Sequence, residues 1–377
     1  MTRDAQLGLV RYYLLPTEQF FGNAALMIGA PVTFFSLLEN LTNTYVLADR
    51  YSVVRKLRAK ATVTSLITVL LAVGISFLLL SRFQAAPQEQ AAAATASAVF
   101  SGLIAEAVPA SIFEPFESIS PIPLIVVALI LTYSFCSTGK YFMKLKQAVD
   151  VGYTVFSKML GLVLFAFPFF FFVSSLELLI IRHSEMLMVL VRGILLILAG
   201  TAGLALFYLI RLVLAGVRLK PFLQKLPPLL LENCRINSSL DAVPFNIRYC
   251  ARHYGMNRKL LESSLPFLAQ IVFDGNCFLL TSVAMFLAFN AGAEITWYNT
   301  LVSAILVFFL SLGAPNQPGS MLIGTMILLQ YQGYEGSSYM FIAILFEAAL
   351  GIVQNLINVV GDIVTVAIED HQLKNNS

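Results

Sequence analysis

The residues best placed to do chemistry lie near the end of the chain, in "EAALGIVQNLINVVGD", residues 347–362. Glu347, Gly351, Gln354, Asn355, Asn358 and Asp362 follow one another at intervals of 4, 3, 1, 3 and 4. On a helix those intervals gather all six on one stripe. The rest of the circumference is Ile, Leu, Val, Ala and Phe, so only the stripe is unsuited to lipid. A carboxylate at the centre of a bilayer costs at least ~2.5 kcal/mol, and the stripe must therefore face a protein-lined cavity. An upstream apolar run, 265–291, has a matching face: Gln270, Asp274 and, after Gly275, Asn276. The sequence Asp274–Gly275–Asn276 is expected to weaken that helix and expose carbonyl oxygens. Two carboxylates, several amides and loosened carbonyls make an oxygen-rich ligand set for a hard monovalent cation. Neither stripe carries Lys or Arg, so the expected counter-charge is a bound cation or a proton. The competing reading is that the amides only bond helices to one another. That accounts for Asn355 and leaves two aspartates without a purpose.

What must position these residues is a membrane protein. Of 377 residues, 58% are hydrophobic and only 12% charged, with a mean hydropathy of +0.80; a soluble domain carries about 25% charged residues. The net charge of +3 is spread over short loops and gives no basis for binding nucleic acid. Cys136, Cys234, Cys250 and Cys277 lack CxxC spacing and read as buried small hydrophobes. His183, His253 and His371 are too scattered for a metal site and read as loop or headgroup-level side chains. No signal peptide is expected, because the first apolar run begins late and lacks a small-residue cleavage site. Runs near 24–46, 61–81, 121–137, 154–182, 188–216, 265–291 and 338–368 each read as a span, at about 17–25 residues per crossing. Arg50, Arg55, Lys56, Arg58 and Lys60, then Lys140, Lys144 and Lys146, then Arg218, Lys220 and Lys225 fill alternate loops. The positive-inside rule puts those loops in the cytoplasm of a plasma-membrane protein, with the N-terminus outside and the C-terminus cytoplasmic. Residues 1–20 are too polar to span and are expected to form an interfacial helix. The stretch "AAPQEQAAAATASA", 85–98, reads as a flexible external loop.

Two stretches are not simple spans. In "LVSAILVFFLSLGAPNQPGSMLIGTMILLQ", 301–330, each apolar half is short, and "GAPNQPG" with Pro315 and Pro318 breaks the helix between them. About 12 residues reach ~18 Å, well short of a ~30 Å hydrocarbon core. The stretch 221–255 has the same plan: a half-helix, a polar "NSSLDA" tip, a second half-helix. Such pairs read as re-entrant hairpins, whose exposed tips are tolerated only beside a polar cavity and point to a transporter's binding site. The alternative for both is an ordinary helix pair with an external loop.

In order along the chain, "NSSLDAVP" at 237–244, "VFDGN" at 272–276, "GAPNQPG" at 313–319 and "NVVGD" at 358–362 resemble the motifs of the dicarboxylate/amino acid:cation symporter family. That family includes the glutamate transporters and their archaeal relatives. Weaker likeness extends upstream to "GAPVTFFSLLENL", 29–41, and "AVPASIFEPF", 107–116. The resemblance implies an all-α, homotrimeric elevator-type transporter with two re-entrant hairpins and discontinuous last spans. Residues 1–150 would be mainly scaffold and trimerisation helices, with part of the transport domain near 61–82; 151–217 would hold the remaining helices. Residues 218–370 would form the transport-domain core: hairpin 1 at 221–255, a span at 261–292, hairpin 2 at 298–330 and the last span at 338–368. The family has one more N-terminal helix, and this chain is expected to start at the second. The resemblance assigns Asp362 and Asn358 to one sodium site, and Asp274 and Thr68 to another. It assigns Ser238, Ser239, Ala314, Pro315, Gly351, Gln354, Asn355 and Asn358 to the solute. Gly313, Pro315, Pro318 and Gly319 would form the gate.

The departures bear on the cargo. Relatives that carry amino acids place an Asp, for the amino group, where this chain has Gly351, and those that carry acidic substrates place an Arg, for the side-chain carboxylate, where it has Gln354. A cationic amino group or a second carboxylate would each lose ~1.5–3 kcal/mol of charge-assisted bonding. Val272 and Asn276 replace the break-motif Asn and Thr, and the tip serines number two rather than three. Arg235 could substitute in part, or simply anchor the cytoplasmic face. The reading that follows is a sodium-driven symporter of a small polar carboxylate or neutral amino-acid-like solute, with no cofactor beyond the ion. A proton-coupled variant, a channel and a non-transporting scaffold remain as alternatives. An enzyme is not indicated, since neither GxSxG nor HExxH occurs.

Overall fold

The computed structural model describes residues 8–50, 52–80, 104–181, 183–271, 273–290, 297–314, 319–331 and 337–375. Among these no strand occurs. Six stretches are long and apolar enough to cross a membrane: Val10–Leu47, Ala59–Leu79, Gly139–Phe165, Leu190–Leu214, Arg258–Leu287 and Ala343–Asn375. Pro121–Cys136, Phe167–Glu177, Thr300–Leu312 and Ser320–Leu329 are shorter apolar helices. Leu162, Phe165, Leu195, Leu206 and Leu214 are exposed, as a lipid-facing surface requires. The chain is a multi-pass membrane protein.

The helices are α1 (Leu15–Arg50), α2 (Ser52–Leu80), α3 (Glu114–Glu117), α4 (Pro121–Cys136), α5 (Phe142–Phe165), α6 (Phe167–Ile181), α7 (His183–Leu214), α8 (Leu219–Gln224), α9 (Leu226–Ile236), α10 (Val243–Tyr249), α11 (Arg258–Ile271), α12 (Asp274–Asn290), α13 (Trp297–Leu312), α14 (Ser320–Tyr331) and α15 (Ser337–Asn375). Helix α12 sits at the centre, packed against α2, α7, α13, α14 and α15. Helix α15 lies along it and also touches α1, α6, α7, α9 and α11. Helices α4 and α5 pack on α1 at the periphery.

Several expectations are corrected. Residues 8–20 are not a separate interfacial helix: a π-helical turn, Val10–Leu14, runs straight into α1. Its Val10 and Leu14 bury against Val173 of α6, which supplies the apolar contact that a surface helix would seek in lipid. The run 154–182 is two helices. Pro168 has no amide proton to continue the ladder, and the chain breaks at Ala166. The break in the span 261–292 lies just upstream of Asp274–Gly275–Asn276. Helix α11 ends at Ile271, Phe273 is non-helical, and those three residues form the first turn of α12. The last span is continuous: α15 runs unbroken for 39 residues. Cys250 and Cys277 are buried as expected, whereas Cys136 and Cys234 are half-buried.

The stretch 221–255 does fold back on itself. Pro227 and Pro228 open α9, and Asn237 closes it in the left-handed conformation at φ 49°. Asn233 and Asn246 then exchange amide hydrogen bonds across the two arms, at 2.9 and 3.2 Å. At the base, Tyr249 Oη donates to the Lys225 carbonyl at 2.7 Å and Tyr254 Oη to that of Phe222 at 3.2 Å.

Candidate functional site

The site forms where the first turn of α12 meets the middle of α15. The first amides of a helix lack intrahelical acceptors, and here one finds its acceptor on the neighbour: Gly275 N donates to Asn358 Oδ1 at 2.7 Å. Asn358 Nδ2 donates to Asn276 Oδ1 at 3.1 Å. Gln354 Nε2 donates to the same Asn276 oxygen and to Ser320 Oγ, the latter at 3.1 Å. Only glycine fits at 275: a Cβ there would lie 2.1 Å from the Gln354 carbonyl oxygen. The spacing of Gln354 and Asn358 thus places both amides on α12, where they bond one helix to the other as the competing reading expects. Asn355 is buried, and its Nδ2 finds no partner among the described residues.

Asp274 is wholly buried. Ser65 Oγ on α2 donates to its Oδ1 at 2.7 Å and Tyr208 Oη on α7 to its Oδ2 at 2.7 Å. Thr68, expected beside it, is buried and bonds back to the Thr64 carbonyl of its own helix at 3.0 Å; the hydroxyl that reaches the carboxylate lies one turn earlier. A Cβ at Gly361 would meet Asp274 Oδ2 at 2.8 Å and Tyr208 Oη at 2.9 Å, so α15 passes close by. Asp362 is buried too, and its Oδ1 has no hydrogen-bond partner among the described residues. That orphaned carboxylate oxygen fits a hard cation. The cationic group expected to be absent comes from a third helix: Arg211 of α7 reaches α15, its Nη2 donating to Thr365 Oγ1 at 3.4 Å.

Glu347 does what the sequence did not suggest. Its Oε1 accepts from Gly319 N at 2.9 Å and its Oε2 from Leu322 N at 2.8 Å. It caps the N-terminus of α14, where a negative charge is favoured. Gly351 faces this carboxylate, and a Cβ there would lie 2.8 Å from Oε1. Gly319 has φ +89°, a conformation that suits glycine. On the other arm, Ser36 Oγ donates to the Ala314 carbonyl at 3.0 Å and Asn40 Nδ2 to that of Leu312 at 2.8 Å. Gly313 presses on Thr33. Helix α1 therefore holds the end of α13. Pro315 and Pro318 lie outside the described residues.

Ser238 and Ser239 are buried at the tip between α9 and α10, with Ser238 Oγ accepting from Asp241 N at 3.2 Å. A cavity of about 610 Å³ opens beside Ser65, between α1, α2, α4, the end of α11 and α13, with Asn40, Thr44 and Gln270 in its wall. Among the described residues, none of those assigned to the solute lines it.

Ser65, Tyr208, Arg211 and Ser320 were missed because the stripe argument works within one helix. Tyr208 and Arg211 do stand three apart near the end of an apolar run, a polar pair that could have raised the question of its partner. A comparison with curated proteins finds no match. The model of the sodium:dicarboxylate symporter family matches residues 7–372, nearly the whole length. The broken helix meeting an amide- and carboxylate-bearing last helix, and this match, lead to one conclusion: the chain belongs to the sodium:dicarboxylate symporter family.

Proposed function

We propose that the protein is a secondary active symporter that moves a small polar organic solute, a monocarboxylate or a neutral amide-bearing molecule, across the plasma membrane on a sodium gradient. The observation that carries this reading is Asp362 Oδ1, a buried carboxylate oxygen without a partner among the described residues, close in the chain to the Gln354–Asn276–Asn358 network. Asp362 and Asn358 would hold the sodium ion, which supplies positive charge that an acceptor-only carboxylate needs in a buried site. Gln354, Asn355 and Asn358 would read the solute with uncharged amides, and Ser238 and Ser239 would take a carboxylate.

The gate would be the segment Gly313–Gly319. Its coupling to the solute is supported by the bond from Gln354 to Ser320 at the start of α14. A solute that takes over the Gln354 amide would replace that bond, so gate and cargo compete for one donor. Residues 218–370 would move as a transport domain against a trimeric scaffold built mainly from residues 1–150, in an elevator motion. Basic loops support a cytoplasmic C-terminus and an external N-terminus.

Thermal unfolding of the purified protein in NaCl against choline chloride, with Asp362→Asn alongside, tests the reading. A ligand that binds only the native state raises stability by RT ln(1 + [L]/Kd). A sodium-specific rise, lost in Asp362→Asn, is expected, and solutes are then screened in sodium. A pH-dependent rise lost in the variant, without a sodium response, would assign the same oxygen to a proton. No response of either kind would sink the symporter.

A further inference from the structure

Asp274 differs from Asp362 in what surrounds it. Both of its oxygens already accept hydroxyl hydrogen bonds, from Ser65 and Tyr208. No oxygen of Asp274 is left orphaned, whereas Asp362 Oδ1 is. On the same helix as Tyr208, one turn further along, Arg211 carries a guanidinium that does not deprotonate in proteins. It rests over the Phe207 ring at 5.6 Å and touches Thr365 of α15. Its Nη1 is buried with no hydrogen-bond partner among the described residues. A buried guanidinium with an unspent donor needs a compensating negative charge, and Arg211 stands on the same helix as Tyr208, whose hydroxyl bonds Asp274. A metal ion at Asp274 would sit against the helix that carries this fixed positive charge.

We infer that Arg211 is a built-in cation that takes the place of a sodium ion at Asp274, so that the centre binds one sodium, at Asp362, rather than two. The inference rests on the symporter reading above and fixes its ion count. Tyr208 is the connecting piece: its hydroxyl holds Asp274 from the helix that carries Arg211, and Gly361 leaves room for that contact.

The test is the ion count in the full-length protein in detergent, at constant ionic strength with choline as the balancing cation. Unfolding free energy plotted against RT ln[Na⁺], well above the dissociation constant, has a slope equal to the number of ions bound only by the folded state. The slope is expected to be one in the wild type and in Asp274→Asn, and zero in Asp362→Asn. Arg211→Met is expected to raise it to two, and Arg211→Met with Asp274→Asn to return it to one. Arg211→Lys keeps the charge and the slope of one. Should Arg211→Met not fold, direct counting of bound sodium in the wild type and Asp274→Asn decides the matter, with one ion expected in each. A wild-type count of two that falls to one in Asp274→Asn overturns the inference and leaves the symporter standing. A wild type with no sodium response, or an Asp362→Asn variant that keeps it, overturns the inference together with the assignment of sodium to Asp362.

Discussion

At the residue scale, two glycines decide what the centre can be. Gly275 lets the first turn of α12 touch the backbone of α15. Gly275→Ala must push the helices apart, because the obstructing atom is a main-chain oxygen and not a movable side chain. Overpacking of that kind costs about 1–3 kcal/mol. A lower unfolding temperature and a weakened sodium response are expected together, whereas Gly74→Ala, with nothing within 4 Å of its Cβ, should change neither. Gly351 makes the second case. An aspartate there would crowd Glu347, and two carboxylates side by side do not both stay charged cheaply. Glu347 would swing away and leave Gly319 N and Leu322 N uncapped. Gly351→Asp is therefore expected to destabilise the protein by about 1–2 kcal/mol, and Gly351→Ala by less. Thermal unfolding of the two variants checks the order; equal stabilities would show that the cap on α14 does not depend on the space at 351. The stripe on α15 was legible because helical spacing is a property of one segment. The role of Glu347 was not, because its partners are backbone amides of a helix 25–28 residues away.

At the element scale, the end of α13 hangs from α1. Asn40 bonds the Leu312 carbonyl and Ser36 that of Ala314, so α1, in the proposed scaffold, fastens the proposed gate. Asn40→Leu keeps the volume and removes the donor. Interhelical hydrogen bonds in membranes average about 0.6 kcal/mol, so global stability should fall only slightly. The local effect should be larger: the amides of Gly313 and Ala314, which bond to Phe309 and Ser311, are expected to exchange hydrogen several-fold faster. Exchange unchanged at those two amides would mean that α1 does not restrain the segment. The elements themselves were largely readable from apolar run lengths and from Pro and Gly punctuation. The failures have local causes. Pro168 divides a run that is long enough for one span. The polar start of the chain is carried into α1 because Val10 and Leu14 find Val173, a contact between segments about 160 residues apart in sequence. The fold-back of 221–255 was open in the sequence and is fixed by the Asn233–Asn246 amide pair, a pairing that no periodicity encodes.

At the scale of the whole molecule, the question is how much charge crosses the membrane per cycle. Asp274, Asp362, Glu347 and Arg211 travel with the protein wherever it moves, and each returns when the cycle closes. Their charges affect rates and cancel from the equilibrium. Only the cargo counts. One sodium with a monocarboxylate carries no net charge, and one sodium with a neutral solute carries a single positive charge. A potential of 100 mV is worth about 2.3 kcal/mol per elementary charge, or roughly a 50-fold change in the accumulation ratio at steady state. In proteoliposomes with a fixed sodium gradient, imposing 100 mV, inside negative, should leave the accumulation of a transported monocarboxylate unchanged. It should raise that of a transported neutral solute by about that factor. A potential-driven rise for the monocarboxylate would require a second cation in the cycle, sodium or a proton, because the solute's charge is already matched by the first sodium. The result would then bear directly on Asp274, the only other buried carboxylate joined to the Asp362 region through Gly361 among the described residues. Flat accumulation for the anion together with a steep response for the neutral solute would instead place the whole driving force in one ion.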